Sequence, residues 1–375
     1  MTIVRAEVFK GTVYYKSPFT ISLGTSYKSD EVVVKIVDDS GLEGFGEASP
    51  SRMILGETQD TVVSSLDVIL PSLIGLEPEM LEYASYVIED SIHRNSSAKA
   101  SVDIALHDLV SKKYKLPLFK YLGGYSNKVL TDVTIGIKPI EEAVKEAKEL
   151  LEQKVRIIKV KVGSENLEED ISRLRAIREA VGNEVKLFVD ANQAWSARRA
   201  IYAISKMQRY EIELVEQPVK AYDVDGLSFV KRNSPVPIMA DESVHSPEDA
   251  IEIVKKDAAD FINIKLMKSG GIRNARKIAT ISEAAGIKNI VGCMMEGTIS
   301  IAAAAHFACS TKNVVFVDLD SDLSLKNTLS KKSVIEYKDS YRVLSEGYGL
   351  GNIELAHDEL KLVKVYEERK TNSAF

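Results

Sequence analysis

The chain has 375 residues, 45% of them hydrophobic, which is enough apolar material for a full globular core and for more than one domain. A formal net charge of −6 leaves no basic footprint, so nucleic acid is not an expected partner, and no apolar run reaches the roughly 18 residues that span a bilayer. The only cysteines are Cys293 and Cys309, too few for a disulfide framework, and Met1-Thr2-Ile3-Val4-Arg5 opens without a signal-peptide pattern, so the expected compartment is the reducing cytoplasm.

Residues 1 to about 48 alternate as antiparallel strands do. Glu31-Val32-Val33-Val34-Lys35-Ile36-Val37 reads as one strand, and Asp38-Asp39-Ser40-Gly41 as the turn into the next. Residues 57 to 115 read as helices. Ala98 to Lys113 carries small and apolar residues at helical spacing, with Pro117 as its stop. Strands followed by helices predict an α+β domain over residues 1–125.

From residue 129 strand and helix alternate strictly. Strands are expected near 130–137, 156–162, 186–190, 212–216, 237–241, 260–265, 289–293 and 314–318, with helices between them such as Glu141 to Gln153 and Ser246 to Lys256. Eight such strands fit a closed parallel barrel over residues 126–325, an α/β architecture. Residues 326–375 return to strand-and-turn sequence and are expected to pack back on the first domain.

Charged residues end these strands at a regular step. The order is Lys161, Asp190, Glu216, Asp241 and Lys265, at intervals of 29, 26, 25 and 24 residues. About 25 residues is one strand, one helix and two short loops, so all five are expected around one mouth. Three carboxylates together suit a hard cation, and flanking lysines are candidate proton carriers. Taken singly, each acid reads more simply as a helix cap or the partner of a nearby lysine. Residues two apart on a strand share a face, which places Lys159 with Lys161 and Asn263 with Lys265.

These residues resemble those of the enolase superfamily, in its muconate-lactonizing subgroup, and within it the dipeptide epimerases. The matching segments are Gly44-Phe45-Gly46-Glu47-Ala48, Ala105-Leu106-His107-Asp108-Leu109 and Pro117-Leu118-Phe119-Lys120-Tyr121-Leu122-Gly123-Gly124 in the first domain. In the barrel they are Lys159-Val160-Lys161, Asp190-Ala191-Asn192, Glu216-Gln217-Pro218, Asp241-Glu242-Ser243 and Ile264-Lys265-Leu266-Met267-Lys268-Ser269-Gly270-Gly271. The resemblance implies an enolase-like fold: an α+β capping domain on a modified TIM barrel, (β/α)7β. It implies one Mg²⁺ per subunit, with Mn²⁺ as a substitute, on Asp190, Glu216 and Asp241, and Lys161 and Lys265 as the acid/base pair. This chemistry is established for the superfamily and is not deduced from the residues.

The implied reaction is a 1,1-proton transfer. Removing a proton beside a carboxylate builds an enediolate, which a divalent cation on both oxygens stabilises. A lysine acts as base only when neutral, and burial, a nearby cation and the like charge of Lys159 all favour that form of Lys161. In dipeptide epimerases an Asp-x-Asp pattern holds the α-ammonium of the substrate, a role implied here for Asp318 and Asp320 in Val317-Asp318-Leu319-Asp320-Ser321. Thr134, Lys159, Met295 and Glu296 are further expected at the substrate. The expected activity is Mg²⁺-dependent epimerisation of a dipeptide at its C-terminal residue, by a homo-oligomeric isomerase. The alternatives are o-succinylbenzoate synthase or N-succinylamino-acid racemase, whose substrates lack an α-ammonium, and a barrel retained without catalysis.

Other residues read more plainly. His245 is expected on the surface or at a helix cap, His107 in a structural role, Trp195 under a loop and Lys268 at the mouth. Cys293-Met294-Met295-Glu296 is expected to line the substrate pocket. Segments Thr20–Ser26 and Met53–Glu57 resemble the specificity-setting loops of the cap. Members that prefer an acidic second residue carry an arginine in the first, which is absent here; Lys28 is the nearest cation.

Overall fold

The computed structural model describes residues 2–367. The cap begins with a long hairpin, β1 (Ile3–Ile21) and β2 (Gly24–Asp38), followed by β3 (Glu43–Ala48) and three helices, α1 (Gln59–Ile69), α2 (Leu81–Ser91) and α3 (Ser96–Lys113). A one-turn helix, α4 (Leu118–Tyr121), leads to a short strand, β4 (Lys128–Leu130). The barrel then alternates β5 (Val133–Ile135), α5 (Ile140–Glu152), β6 (Ile157–Lys161), α6 (Leu167–Val181), β7 (Lys186–Asp190), α7 (Ala197–Met207), β8 (Ile212–Glu216) and α8 (Val224–Asn233). It continues with β9 (Ile238–Ala240), α9 (Pro247–Lys255), β10 (Phe261–Ile264), the one-turn α10 (Leu266–Ser269), α11 (Ile272–Ala284), β11 (Lys288–Gly292), α12 (Thr298–Ser310) and β12 (Val314–Asp318). Strands β13 (Ile335–Lys338), β14 (Tyr341–Leu344) and β15 (Leu360–Glu367) complete the described chain.

Strands β5 to β12 form one parallel sheet in sequence order, and seven long helices connect the eight strands. The sheet closes at a narrow seam. Thr131 bridges Val317, the Asp132 N–H reaches the Val317 carbonyl at 3.0 Å, and the Thr131 hydroxyl accepts the Leu319 N–H at 3.1 Å. The first barrel strand is shorter than residues 130–137. Residues 128–130 instead pair with β14 in a separate three-stranded sheet, because the chain bends at Thr131 and Asp132 to make the closure.

Side-chain alternation divides the barrel interior into two layers. Ile157, Phe188, Leu214, Met239 and Ile290, with Phe261 and Phe316 packed against them, plug the end where the strands begin. Two residues further along, six of these seven inward positions turn polar, Lys159, Asp190, Glu216, Asp241, Asn263 and Asp318, all buried, while β11 has Gly292 there. Burying so many charges is tolerable only when they pair with one another or hold an ion.

The cap sheet has the order β15-β1-β2-β3, so β15 pairs antiparallel with β1, from Arg5 opposite Glu367 to Gly11 opposite Leu360. The expected packing of residues 368–375 lies outside the described residues. Strand β3 lies directly on the buried helix α3. A Cβ on Gly44 would stand 2.2 Å from the Ala105 carbonyl oxygen, and one on Gly46 would stand 1.9 Å from that of Ser101, so only glycine allows this approach. Glu47 receives the Ser300 N–H near the start of α12 at 2.9 Å, and Asp103 receives the Ile272 N–H at the start of α11 at 2.5 Å. Carboxylates at helix N-termini thus fasten the cap to the barrel. Helix α3 starts at Ser96, two residues before the expected Ala98, and stops at Lys113 with Lys115 in the left-handed region (φ 53°), ahead of Pro117.

The segment Thr20–Ser26 is the tip of the β1–β2 hairpin and not an irregular loop. Thr20 pairs with Thr25 and Ile21 with Gly24 around a two-residue turn. That tip rests on the barrel mouth, where the Ser22 hydroxyl donates to the Asn192 carbonyl at 2.8 Å and the Thr20 carbonyl accepts the Ile137 N–H at 2.8 Å.

Candidate active site

A cavity of about 800 Å³ opens between the hairpin tip, the segment Ser49–Gln59 and the ends of the barrel strands. Lys161, Lys265, Asn192, Thr134, Asp318 and Asp320 form its barrel side. In an eight-stranded ring, strands four apart in order face each other. Lys161 on β6 therefore stands across from Lys265, which directly follows β10. Asp190, Glu216 and Asp241 occupy the arc between them, on β7, β8 and the end of β9, and Asp318 lies across from Glu216 on β12.

Each acid of that arc uses its two oxygens differently. One Asp190 oxygen, Oδ1, accepts the Asn192 N–H at 2.8 Å, while Oδ2 lies 2.5 Å from Lys161 Nζ and 3.1 Å from Lys159 Nζ. Glu216 Oε1 accepts from Asn263 Nδ2 at 2.8 Å, and Oε2 lies 2.6 Å from Lys159 Nζ. Asp241 Oδ1 lies 2.6 Å from Lys268 Nζ, and Oδ2 lies 2.8 Å from Lys265 Nζ. The chain supplies these anchors through strained turns after the strands. Asn192, Gln193 and Gln217 hold positive φ angles of 38°, 67° and 34°. Gln217 Oε1 accepts the N–H groups of Asp241 at 2.9 Å and Ser243 at 3.2 Å, tying the end of β9 to that of β8.

Burial opposes ionisation of all three acids, and their neighbours decide the outcome. Lys161 and Lys159 hold Asp190 below the usual carboxylate range, and Lys265 and Lys268 hold Asp241 well below it. For Glu216, burial and the charge of Asp190 outweigh Lys159 and push it up to about 8. Burial also disfavours the charged form of Lys265, but Asp241 and Glu216 reverse that and raise it.

Lys159 and Glu296, both expected at the substrate, do not line the cavity. Lys159 is 1% exposed, and its ammonium spans Asp190, Glu216 and Asp318, the last at 2.7 Å. Burial works against its charge, but these acids raise it well above the ordinary lysine value, so it is held as a cation among carboxylates. Glu296 is buried behind the wall. One oxygen takes the Met294 N–H at 2.7 Å, and burial pushes its carboxyl up to about 8. Met295, half-buried, and Cys293 do line the cavity; burial raises the Cys293 thiol far above its ordinary value, which leaves it a poor nucleophile.

Among the described residues, the three carboxyl groups found within 4.8 Å of one another are Asp132, Asp318 and Asp320; in the expected triad, Lys159 stands between Asp190 and Glu216. Asp132 was not singled out by sequence, since it precedes the strand proper in the bend that closes the barrel. It is buried, its Oδ1 has no hydrogen-bond partner, and burial followed by the charge of Asp318 raises it well above the carboxylate range. Burial opposes the charge of Asp318, yet Lys159 brings it down to about 2; burial and Asp318 push Asp320 up to about 6. Asp320 Oδ2 accepts the Thr134 N–H at 2.6 Å across the barrel seam.

Lys268 is not at the mouth. It is 2% exposed, and its ammonium is enclosed by Asp241 and the Asn263 carbonyl. His245 is half-buried and not on the surface, and it lies at the cap of α9, where its N–H donates to Asp249 Oδ2 at 2.9 Å; burial and the neighbouring Lys268 bring it down to about 4. His107 is buried with Nδ1 2.8 Å from the Asp103 carbonyl, and Trp195 is buried where the segments after β7 and β8 bridge, so both play structural parts.

Known proteins match both halves of this architecture. The family described as Enolase C-terminal domain-like matches residues 142–358, and that described as Mandelate racemase / muconate lactonizing enzyme, N-terminal domain, matches residues 3–123. The chain belongs to the enolase superfamily. Its relatives there include a hydrophobic dipeptide epimerase from Enterococcus faecalis, 42% identical over 94% of this chain and 99% of that protein. The substrate-liganded L-Ala-D/L-Glu epimerase from Bacillus subtilis superposes with a TM-score of 0.92 at 40% identity, over 95% of this chain and 100% of that one. The N-succinyl Arg/Lys racemase from Bacillus cereus also superposes with a TM-score of 0.92, at 31% identity over 97% and 100%. Overall shape therefore does not separate the two reactions, and the polar groups of the site must. Among the described residues no helix is long and apolar enough to cross a membrane.

Proposed function

We propose that this protein is a dipeptide epimerase that inverts the α-carbon of the C-terminal residue. The observation that carries the reading is the placement of two lysines across the barrel, with three carboxylates on one arc between them and two aspartates on the other. A dipeptide laid across the cavity puts its carboxylate toward Asp190, Glu216 and Asp241, its α-carbon between Lys161 and Lys265, and its ammonium toward Asp318 and Asp320.

The donor set of the first arc is all oxygen, which suits Mg²⁺ or Mn²⁺. Such a cation, when bound, would stabilise the negative charge that builds on the substrate carboxylate during proton removal. One lysine takes the α-proton from its side, and the other returns a proton on the opposite side. Both first have to exchange their present carboxylate partners, Asp190 and Asp241, for substrate. Lys159 stays beneath the cavity floor and balances the acids around it.

Two aspartates facing an N-succinyl group would repel it, whereas they attract an ammonium, and this favours the dipeptide over the N-succinylamino acid. The cap side of the cavity is lined by Phe19, Ile21, Leu23, Met53 and Ile54, together with two cations, Arg52 and Lys28, of which Lys28 is held by Asp30 at 2.9 Å. The five apolar side chains suit an apolar second residue, and Arg52 is the lining group that would attract an acidic one. The test is incubation with Mg²⁺ and L,L-dipeptides in D₂O, with deuterium uptake and the L,D product followed by mass spectrometry and NMR. L-Ala-L-Phe or L-Ala-L-Leu should exchange and invert faster than L-Ala-L-Glu. Faster turnover of N-succinyl-L-amino acids than of any dipeptide would overturn the reading.

A further inference from the structure

Lys268 has no part in proton transfer as the site is built. It does not line the cavity, and its three donor hydrogens are taken up by Asp241 Oδ1 at 2.6 Å, the Asp241 carbonyl and the Asn263 carbonyl at 3.1 Å. A lysine carbonyl clamp of this kind on one short helix, α10, reaches under the end of β9 and holds both the backbone and the side chain of the same aspartate. Asn263, two residues before Lys265, does the matching work on Glu216 through its amide at 2.8 Å, and the Asn192 N–H does it on Asp190.

The three anchors share one consequence. Each engages one oxygen of its carboxylate, and the other oxygens, Asp190 Oδ2, Glu216 Oε2 and Asp241 Oδ2, carry lysine ammoniums instead. Those ammoniums belong to Lys161, Lys159 and Lys265.

We infer that Lys268 and Asn263 are positioning residues that make Asp241 and Glu216 single-oxygen ligands, holding one oxygen of each so that only the other is presented to a divalent cation. The inference rests on the proposal that the cation binds at Asp190, Glu216 and Asp241. Lys268 acts on a cation in two opposed ways: its charge repels, and its clamp orients Asp241. The clamp predominates, because a free Asp241 carboxylate would have to be reoriented each time a cation enters, and groups behind metal ligands are commonly worth 10–100-fold in affinity.

The test is Mn²⁺ binding to the substrate-free protein, by calorimetry and by the loss of the free Mn²⁺ electron paramagnetic resonance signal. Lys268→Met should weaken binding by roughly 10–100-fold, and Lys268→Gln, which keeps a neutral donor at Asp241 Oδ1, should recover part of the loss. Asn263→Leu should weaken it by about tenfold, and it carries the test should Lys268→Met fail to fold by circular dichroism. Unchanged or tighter binding in the folded variants would overturn the inference, since it would show that holding one oxygen of Asp241 and Glu216 does not strengthen cation binding. Absence of Mn²⁺ binding to the wild type would remove the cation site and the inference together.

Discussion

Lys159 Nζ lies 2.7 Å from Asp318 Oδ2, on a side chain that also touches Glu216 and Asp190 at 2.6 and 3.1 Å. One ammonium therefore joins the two arcs of the site beneath the cavity floor. Removing one partner of a buried ion pair costs roughly 3–5 kcal/mol, because the other charge is left uncompensated.

Lys159→Met should accordingly be much less stable than the wild type in EDTA, with part of the loss recovered in millimolar Mg²⁺, whose charge takes over the same acids. Thermal unfolding midpoints of both proteins, with and without metal, measure this. An unchanged midpoint for the variant in EDTA would show that Lys159 does not hold the acids.

Lys161 and Lys265 face each other from strands four apart in the ring. Alanine at either position should abolish net inversion, while the surviving lysine still exchanges the α-proton of the one epimer it faces. Deuterium incorporation into each separate epimer distinguishes the two variants. Wild-type inversion by Lys161→Ala or Lys265→Ala would refute a two-base mechanism.

Asp320→Asn keeps an acceptor for the Thr134 N–H but removes a charge facing the cavity. A charge-assisted hydrogen bond contributes about 1.5–3 kcal/mol, so kcat/KM for dipeptides should fall about ten- to a hundredfold. Turnover of N-succinyl-L-amino acids, if any is measurable, should not fall. Equal losses on both substrate classes would place Asp320 in a structural role at the seam.

His306 on α12 is 1% exposed, and its Nδ1 accepts the Phe119 N–H at 3.0 Å. Burial alone pushes it down to about 3 from 6.5. The folded protein therefore stays neutral at this site while the unfolded chain gains a proton as pH drops below 6.5, so stability is lost from there down toward pH 3. At about 1.4 kcal/mol per pH unit, moving from pH 7 to pH 5 costs about 2 kcal/mol. Glu47 and Glu296, raised mainly by burial to about 7 and about 8, act in the opposite direction, so the useful quantity is a difference between proteins. His306→Gln should show a smaller loss than the wild type between these two pH values in urea unfolding. Parallel losses would disprove the assignment.

Much of this was legible because barrel chemistry sits at strand ends and strand ends recur. The charged residues at 161, 190, 216, 241 and 265 mark the repeat, and the observed strands β7, β8 and β12 match the expected bounds. Positions whose direction is set by irregular backbone were not legible. Lys268 points under Asp241 because α10 turns the chain directly after β10. Asp132 joins Asp318 and Asp320 because the chain bends before β5, where the alternating sequence had suggested an unbroken strand. Glu296 lies behind the wall because its own carboxylate folds back on the Met294 N–H.

The pairing of Arg5 with Glu367 means that the outer strand of the cap sheet follows the whole barrel in the chain and so is synthesised after it. Until then β1 presents an open edge while the whole barrel has already been synthesised, so the barrel can assemble before its cover is complete. Closing that loop late costs little more than closing one half its length, because the entropy of closure grows only logarithmically with length. The delay instead lengthens the time for which the unpaired edge of β1 is available to other chains, which is the hazard of any exposed strand edge.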